Sequence, residues 1–410
     1  MDIYNTITII IVLTAVFSYL NFRFFKFPGI IGVMVLSLLA SLLIIGIGEL
    51  NPRFFVSVTA EIKKIDFHTT LMKIMLSFLL FAGAINIDAR KLKTQLLPVS
   101  IFSTIGVLIS TFIIGWLLYL FTKLLAMPIN LIYCLMFGAL ISPTDPIAVL
   151  SILKHAKIPS SLETKITGES LFNDGIAVVL FATIYEIATI GPETISTFQV
   201  GYLFVREAGG GILLGFLLGH LGFIALKSID NYKIEVLITL AIVMGGYLLA
   251  GKLQVSGPLS MVIAGIVTGN KSREEGMSDV TRDYVDKFWE MIDELMNAIL
   301  FLLIGFEMLI IPFNPTLLLL GCITILIALG ARFISVVIPI FLLQYKNTFE
   351  KNAIPILTWG GLRGGLSVAM ALSIPNDMHG ETFVGITYMV VLFSIIVQGL
   401  TIGKLANRIA

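Results

Sequence analysis

Apolar residues run along the chain in stretches of about 20, long enough as helix to cross a hydrocarbon layer about 30 Å thick. Charge clusters, prolines and glycines separate them. Breaking the chain at those separators gives thirteen segments: 5–22, 29–48, 68–86, 96–122, 130–153, 165–190, 201–226, 234–251, 257–269, 288–311, 315–343, 353–375 and 382–403. The pattern predicts an all-α polytopic membrane protein of about 13 transmembrane helices. The spans take up nearly the whole of residues 1–410 as a single transmembrane domain, with no room for a soluble catalytic domain. The N-terminal stretch reads as the first span: its only early charge is Asp2, and no small-x-small cleavage site follows Ile7 to Tyr19. The longest polar segment, Asn270 to Lys287, reads as a cytoplasmic linker or interfacial helix.

Composition agrees: 57% of the 410 residues are hydrophobic and 13% charged, against roughly 45–50% and 25% in soluble proteins. A net charge of +1 and the lack of a long basic run argue against a nucleic-acid partner, leaving membrane lipid as the surrounding phase. Cys134 and Cys322 lie in apolar runs and indicate no disulfide framework.

The distribution of Lys and Arg gives an orientation. Alternate connections carry eighteen of the 27, among them Arg90, Lys91, Lys93, Lys154, Lys157, Lys346 and Lys351; the opposite set carries seven, including Arg53, Lys63, Lys64 and Lys123; Arg332 and Arg363 fall within spans. Cytoplasmic loops are the basic ones. The expectation is a multi-pass protein of the cell membrane with its N-terminus outside and its C-terminus in the cytoplasm.

Thirteen spans permit two inverted six-helix repeats, about 5–190 and 234–403, linked by span 7 (201–226), an arrangement common in secondary transporters. The halves share a peculiarity. Span 5 is interrupted by Ser142-Pro143-Thr144-Asp145-Pro146, and span 12 by Gly360-Gly361-Leu362-Arg363-Gly364-Gly365. Broken helix at membrane depth persists where it lines a cavity.

Charges within spans are costly and therefore functional candidates. Asp145 lies in the first break, Arg363 in the second, Glu169 and Asp174 in span 6, and Arg332 in span 11; Asp293 and Glu294 fall nearer span ends, and Glu307 is ambiguous. Ser170 and Asp174 are four apart on one helical face, with Asn173 beside them. Together they offer a hydroxyl, an amide and a carboxylate to a small hard cation. Glu169, five residues from Asp174, points elsewhere, and Arg363 is its expected partner as a structural ion pair. Arg332 reads as a further supporting charge. Asp145 either stabilises the positive ends of broken helices or steers the ion.

Of the histidines, His68, His155 and His379 map to loops or span ends, and His220 lies among apolar residues. Gly211, Gly215 and Gly219 form a ladder for close helix packing, inside a protomer or across a dimer.

The Thr144-Asp145-Pro146 break, the segment Gly168-Glu169-Ser170 to Asn173-Asp174, and Trp359-Gly360-Gly361-Leu362-Arg363-Gly364-Gly365 occur in that order. Jointly they resemble the NhaP-type sodium/proton antiporters of the cation:proton antiporter-1 family, over essentially the whole membrane domain. The resemblance implies thirteen helices with broken helices 5 and 12 crossing, a homodimer, and elevator-like movement of a core domain. It further implies Asp174 as the ion- and proton-binding carboxylate, with Na+ held by Asp174, Ser170 and the region of Thr144. By the same resemblance Asn173 supports the site and Glu169 pairs with Arg363. Some archaeal members carry an acidic residue in span 3 where this chain reads Phe81-Ala82-Gly83-Ala84. With the chain reaching only Ala410, no long regulatory tail is expected.

The resulting expectation is electroneutral exchange of Na+ or Li+ for H+ at one carboxylate by alternating access, with no cofactor. Asn173 adds no second titrating charge. A K+/H+ antiporter would use the same mechanism. A cation channel is a rival class, as is an intramembrane aspartyl protease using Asp145 and Asp174; neither aspartate lies in Gly-x-Gly-Asp, and Ser367 lacks the surroundings of a serine nucleophile.

Overall fold

The computed structural model describes residues 3–63, 66–146, 149–150, 159–191, 194–311, 314–345, 349–350 and 352–409; among these the chain is helical, with no strand. Lys64, Lys154, His155, Lys157, Lys346 and Lys351, and the end of the segment predicted at 130–153, lie outside the described residues.

Helix α1 (Ile3–Leu20) continues through a π turn (Asn21–Phe25) to α2 (Gly29–Leu50) and α3 (Pro52–Lys63). After a π turn at Thr70–Met75 comes α4 (Leu76–Ile85); a second, at Phe102–Gly106, leads into α5 (Val107–Leu124). Next are α6 (Leu131–Ile141), α7 (Ser160–Ile190), α8 (Thr197–Lys227), α9 (Tyr232–Leu253), α10 (Gly257–Glu275), α11 (Asp279–Glu307) and α12 (Pro315–Leu343). The chain ends with α13 (Ala353–Trp359), α14 (Gly365–Leu372), α15 (Gly380–Phe393) and α16 (Gly399–Ile409). Among the described residues, nine helical runs are long and apolar enough to cross a membrane.

Local chemistry sets these boundaries. Ser196 and Gln199 close a capping box on α8, while Ser256, Ser278 and Asn314 cap α10, α11 and α12 through their side chains. The Ser278 cap corrects one expectation. Much of Asn270 to Lys287 is not a connector but the end of α10 and the first turns of α11, joined through Gly276 and Met277. Helix α3, too, was missed by the apolar pattern, since its sequence PRFFVSVTAEIK alternates apolar and polar groups. Phe55 of α3 sits against α2 at Gly48, where an added Cβ would fall 2.8 Å from the Phe55 Cβ.

The predicted glycine ladder packs α8 on α10 within one chain. A Cβ on Gly215 would lie 2.5 Å from the Ser260 carbonyl oxygen, and the Ser260 hydroxyl donates to the Gly211 carbonyl at 3.0 Å. Without hydrophobic attraction between helices in lipid, such close approach supplies dispersion contact and hydrogen bonding. The opposite surface of α8 exposes Phe198, Val205, Leu213 and Leu221, apolar groups suited to lipid.

Two interruptions meet at the centre. Helix α6 stops at Ile141, and its continuation crosses the gap between α13 and α14. There the Asp145 amide donates to the Leu362 carbonyl at 2.8 Å, an isolated antiparallel bridge. That bond satisfies backbone groups that lipid could not.

Candidate functional site

Each half-helix that ends at this crossing carries unpaired backbone groups and part of a helix dipole. The structure meets them with opposite charge. The Arg363 guanidinium donates through Nη1 to the carbonyls of Ser142 and Pro143, the latter at 2.9 Å, just past the C-terminal end of α6. Its backbone amide donates to the Ser394 hydroxyl at 2.8 Å. Arg332 Nε donates to the Leu357 carbonyl in the last turn of α13 at 3.1 Å. Asp145 lies at the N-terminus of α14: a Cβ on Gly364 would fall 2.4 Å from Asp145 Oδ2, so only glycine lets the carboxylate approach this closely. Of the two roles considered for Asp145, stabilising a helix end is what this contact describes, and its carboxylate also borders the cavity below.

Glu169 does not pair with Arg363. Its carboxylate accepts from both terminal guanidinium nitrogens of Arg332, the second, Nη2, at 3.2 Å, in a buried, bidentate pair. The correction has a geometric cause. Arg363 is drawn to the carbonyls of the first break, and Arg332 reaches across from α12 to the face of α7 that carries Glu169. Arg332, expected only as a supporting charge, takes the place beside Glu169 that was expected for Arg363.

Next to Glu169 and one turn on along α7, Ser170 and Asn173 hold the first break. The Ser170 hydroxyl donates to the Thr144 carbonyl. Asn173 Nδ2 donates to Thr144 Oγ1 at 2.9 Å, and the Thr144 amide faces Asn173 Oδ1 at 3.4 Å. With its proton so committed, Ser170 Oγ can offer only lone pairs to anything else, which suits a cation.

A cavity of about 670 Å³ runs from the exposed Asp88 and Ser160 inward to Asp174, Ser170 and Asp145. Thr144 and Asn173 buttress its wall without lining it. Ala82 and Gly83, neutral residues of α4, also line it. Among the described residues no cation pairs with Asp174, and the charge that acts on it is the Asp145 carboxylate. A carboxylate at membrane depth with no counter-charge, beside oxygen donors, is a place for a mobile cation or a proton.

The reading from sequence missed one wall. Asp286, Glu290, Asp293, Asn297 and Leu300 recur at spacings of four, three, four and three on α11, and all line the cavity along with Glu294. The spacing itself carried the signal. Placing Asp286 in a connector, and Asp293 and Glu294 at a span end, concealed it.

The family model described as "Sodium/hydrogen exchanger, transmembrane" matches residues 11–408. The chain is 47% identical over 409 residues to the Na(+)/H(+) antiporter NhaP of Pseudomonas aeruginosa, covering 97% of this chain and 95% of that one. It is 35% identical over 348 residues to the Na(+)/H(+) antiporter NhaH of Halobacillus dabanensis, covering 84% of each. The structure of the sodium proton antiporter MjNhaP1 from Methanocaldococcus jannaschii superposes with a TM-score of 0.75 at 20% identity, covering 100% of this chain and 99% of that one, a likeness of fold. With the family model spanning almost the full length and two relatives above 30% identity, the chain belongs to the sodium/hydrogen exchanger family.

Proposed function

We propose that this membrane protein is a secondary active transporter that exchanges Na+ or Li+ for H+ electroneutrally, by alternating access at the single carboxylate of Asp174. The observation that carries the reading is the contrast between Asp174, in a cavity without a counter-cation, and Glu169, sealed against Arg332. The names of the relatives as Na(+)/H(+) antiporters support the same ions.

In the cycle, Asp174 holds one proton or one dehydrated cation, never both. Ser170 Oγ completes the cation's oxygen shell from α7, and the Thr144 region contributes from the break. Asn173 positions Thr144 without adding charge. Only the neutralised site crosses the low-dielectric barrier, so competition for one carboxylate is the coupling. Arg363 and Asp145 keep the crossing electrically balanced while the site is loaded or empty.

We read the chain as thirteen crossings in two inverted repeats with the N-terminus outside, an arrangement in which the open end of the cavity faces the cytoplasm, on the side of the Lys- and Arg-rich connections. A homodimer built on an exposed apolar face completes the assembly. The test is cation-driven proton flux in proteoliposomes with Na+, Li+ and K+ compared side by side. Flux driven by Na+ and Li+ supports the proposal; flux driven by K+ alone changes the cargo, and cation conductance without proton coupling makes the protein a channel.

A further inference from the structure

The cavity follows one helical run. Asp88, exposed, lies just past one end of α4, and Leu71, 1% exposed, lies in the π turn before the other end. At 1.5 Å per residue the two are separated by about 20 Å or more of helix. Leu76 and Leu80, both buried, line the wall between them. The blind end is closed by the stretch Phe67–Met75, made of the short helix Phe67–Thr69 and the π turn Thr70–Met75. Asp66 caps the short helix by accepting from the Thr69 amide at 2.9 Å. Phe67, Leu71 and Met75 belong to the apolar cluster that also holds Leu300 and Val368.

Two hydrogen bonds tie this stretch to separate walls. His68 Nδ1 lies 2.9 Å from the Ala369 carbonyl oxygen, and since a carbonyl only accepts, the ring proton is on Nδ1. Ala369 stands in the last turn of α14, where carbonyls lack an amide of their own helix, and the Ser373 amide turns to Met370 instead. On the other wall, the Tyr247 hydroxyl of α9 donates to the Met72 carbonyl within the π turn. The Tyr247 ring is set against α10: a Cβ on Gly257 would fall 2.7 Å from its Cε2. These walls have different attachments. Helix α14 belongs to the crossing, with Asp145 at its N-terminus, whereas α10 is packed closely on α8 at Gly211 and Gly215. A π turn interrupts the regular ladder of helix bonds and often marks a functional site.

We propose that Phe67–Met75 is the gate at the blind end of the cavity, and that His68 and Tyr247 are positioning residues that latch it shut. The proposal rests on the alternating-access reading above. For Asp174 to face the opposite side, the gate has to part from α14 or from α9, and either parting breaks one of these two bonds. The latch therefore favours the state in which the cavity opens at the Asp88 and Ser160 end, without contacting the ion. Losing it shifts the populations of the two states and leaves the oxygens around Asp174 as they are.

The test measures Na+-driven proton flux in oriented proteoliposomes with Na+ supplied from either side. The ratio of the KM on the cavity side to the KM on the opposite side follows the equilibrium between the two states. Tyr247→Phe and His68→Ala should each raise that ratio about five-fold, the effect of one ordinary hydrogen bond. His68→Asn, whose amide nitrogen can stand where Nδ1 does, should stay near wild type. A purely structural role would lower the melting temperature and leave the ratio alone. An unchanged ratio in both variants overturns the latch, as does a His68→Asn variant that matches His68→Ala. Thiol labelling separates this proposal from the exchange reading. Leu71→Cys, in a background of Cys134→Ala and Cys322→Ala, is exposed to a membrane-impermeant maleimide on the side opposite the cavity mouth. Adding Tyr247→Phe should speed that labelling about five-fold whether or not the protein exchanges ions. An equal rate overturns the latch; faster labelling in a protein without cation-driven flux overturns the exchange reading alone.

Discussion

Glu169 and Asp174 stand five residues apart on one helix, yet their surroundings differ in every respect that governs a charge. Glu169 is buried and gripped by both terminal nitrogens of Arg332, whose Nε in turn holds the end of α13. Asp174 faces a cavity, with a hydroxyl beside it and another carboxylate as its strongest electrostatic neighbour. A permanent partner makes the first carboxylate a strut between α7 and α12. Lack of one leaves the second to whatever diffuses in. Residue type does not distinguish these roles; the crossing of the broken helices does, by deciding which arginine reaches which face.

The sharpest way to break the comparison is to remove the charge of Asp174. Asp174→Asn should reduce Na+-driven proton flux to the level of empty liposomes, since an amide cannot alternate between proton and cation. Its melting temperature should stay within a few degrees of wild type, because no ion pair is stranded. Substantial residual flux would show that another group carries the exchange.

The converse change at Glu169 should act on stability. Glu169→Gln or Arg332→Gln alone should each cost about 3–5 kcal/mol, as one buried charge is left uncompensated, and the double variant should cost well below their sum. Glu169→Gln combined with Arg363→Gln should show a smaller coupling, because Arg363 Nη1 is held by the Ser142 and Pro143 carbonyls and Glu169 acts on Arg363 only through longer-range electrostatics. A thermodynamic cycle that coupled Glu169 to Arg363 more strongly than to Arg332 would refute the pairing seen here.

These two arginines also mark where the sequence stopped being informative. The apolar segments, both breaks and the grouping of Ser170, Asn173 and Asp174 were legible, because each follows from helical period, span length or proline and glycine within a span. The partner of Glu169 was not. Two arginines lay within spans, and only the tertiary crossing brings Arg332 to Glu169 and Arg363 to the first break. The acidic face of α11 was hidden for another reason. Charges near a predicted span end read as solvated, whereas the Ser278 cap extends the helix and turns those charges toward the cavity. Amphipathic α3 escaped because too few of its residues are apolar to register as a span.

A smaller effect sharpens the comparison at the end of α7. Lys165, almost fully buried, donates to Glu350 Oε2 at 3.1 Å and lies 4.7 Å from the centre of the Phe349 ring. Partial burial alone would push the Glu350 carboxyl up, but hydrogen bonds from Ser161 and Lys165 and the nearby ammonium hold it below the ordinary carboxylate range. A lowered pKa means that the folded form binds the proton less readily than the unfolded chain. The stabilisation is thus full above about pH 4.5, the ordinary value, and is lost as pH falls through the lower folded value. Glu350→Gln should lower the melting temperature by a few degrees at neutral pH. The difference should shrink toward pH 3, and one that persists unchanged in acid would contradict the pairing.

The central claim is that Asp174 alone changes occupancy, one monovalent cation for one proton, and its most direct test is charge movement by the wild-type protein on a solid-supported membrane. Once the transient from ion binding is subtracted, the account predicts no sustained current at any Na+ or pH gradient that drives turnover, and an apparent Na+ affinity that weakens as pH falls. A steady current that scales with turnover would show a second transported charge and contradict exchange at a single carboxylate.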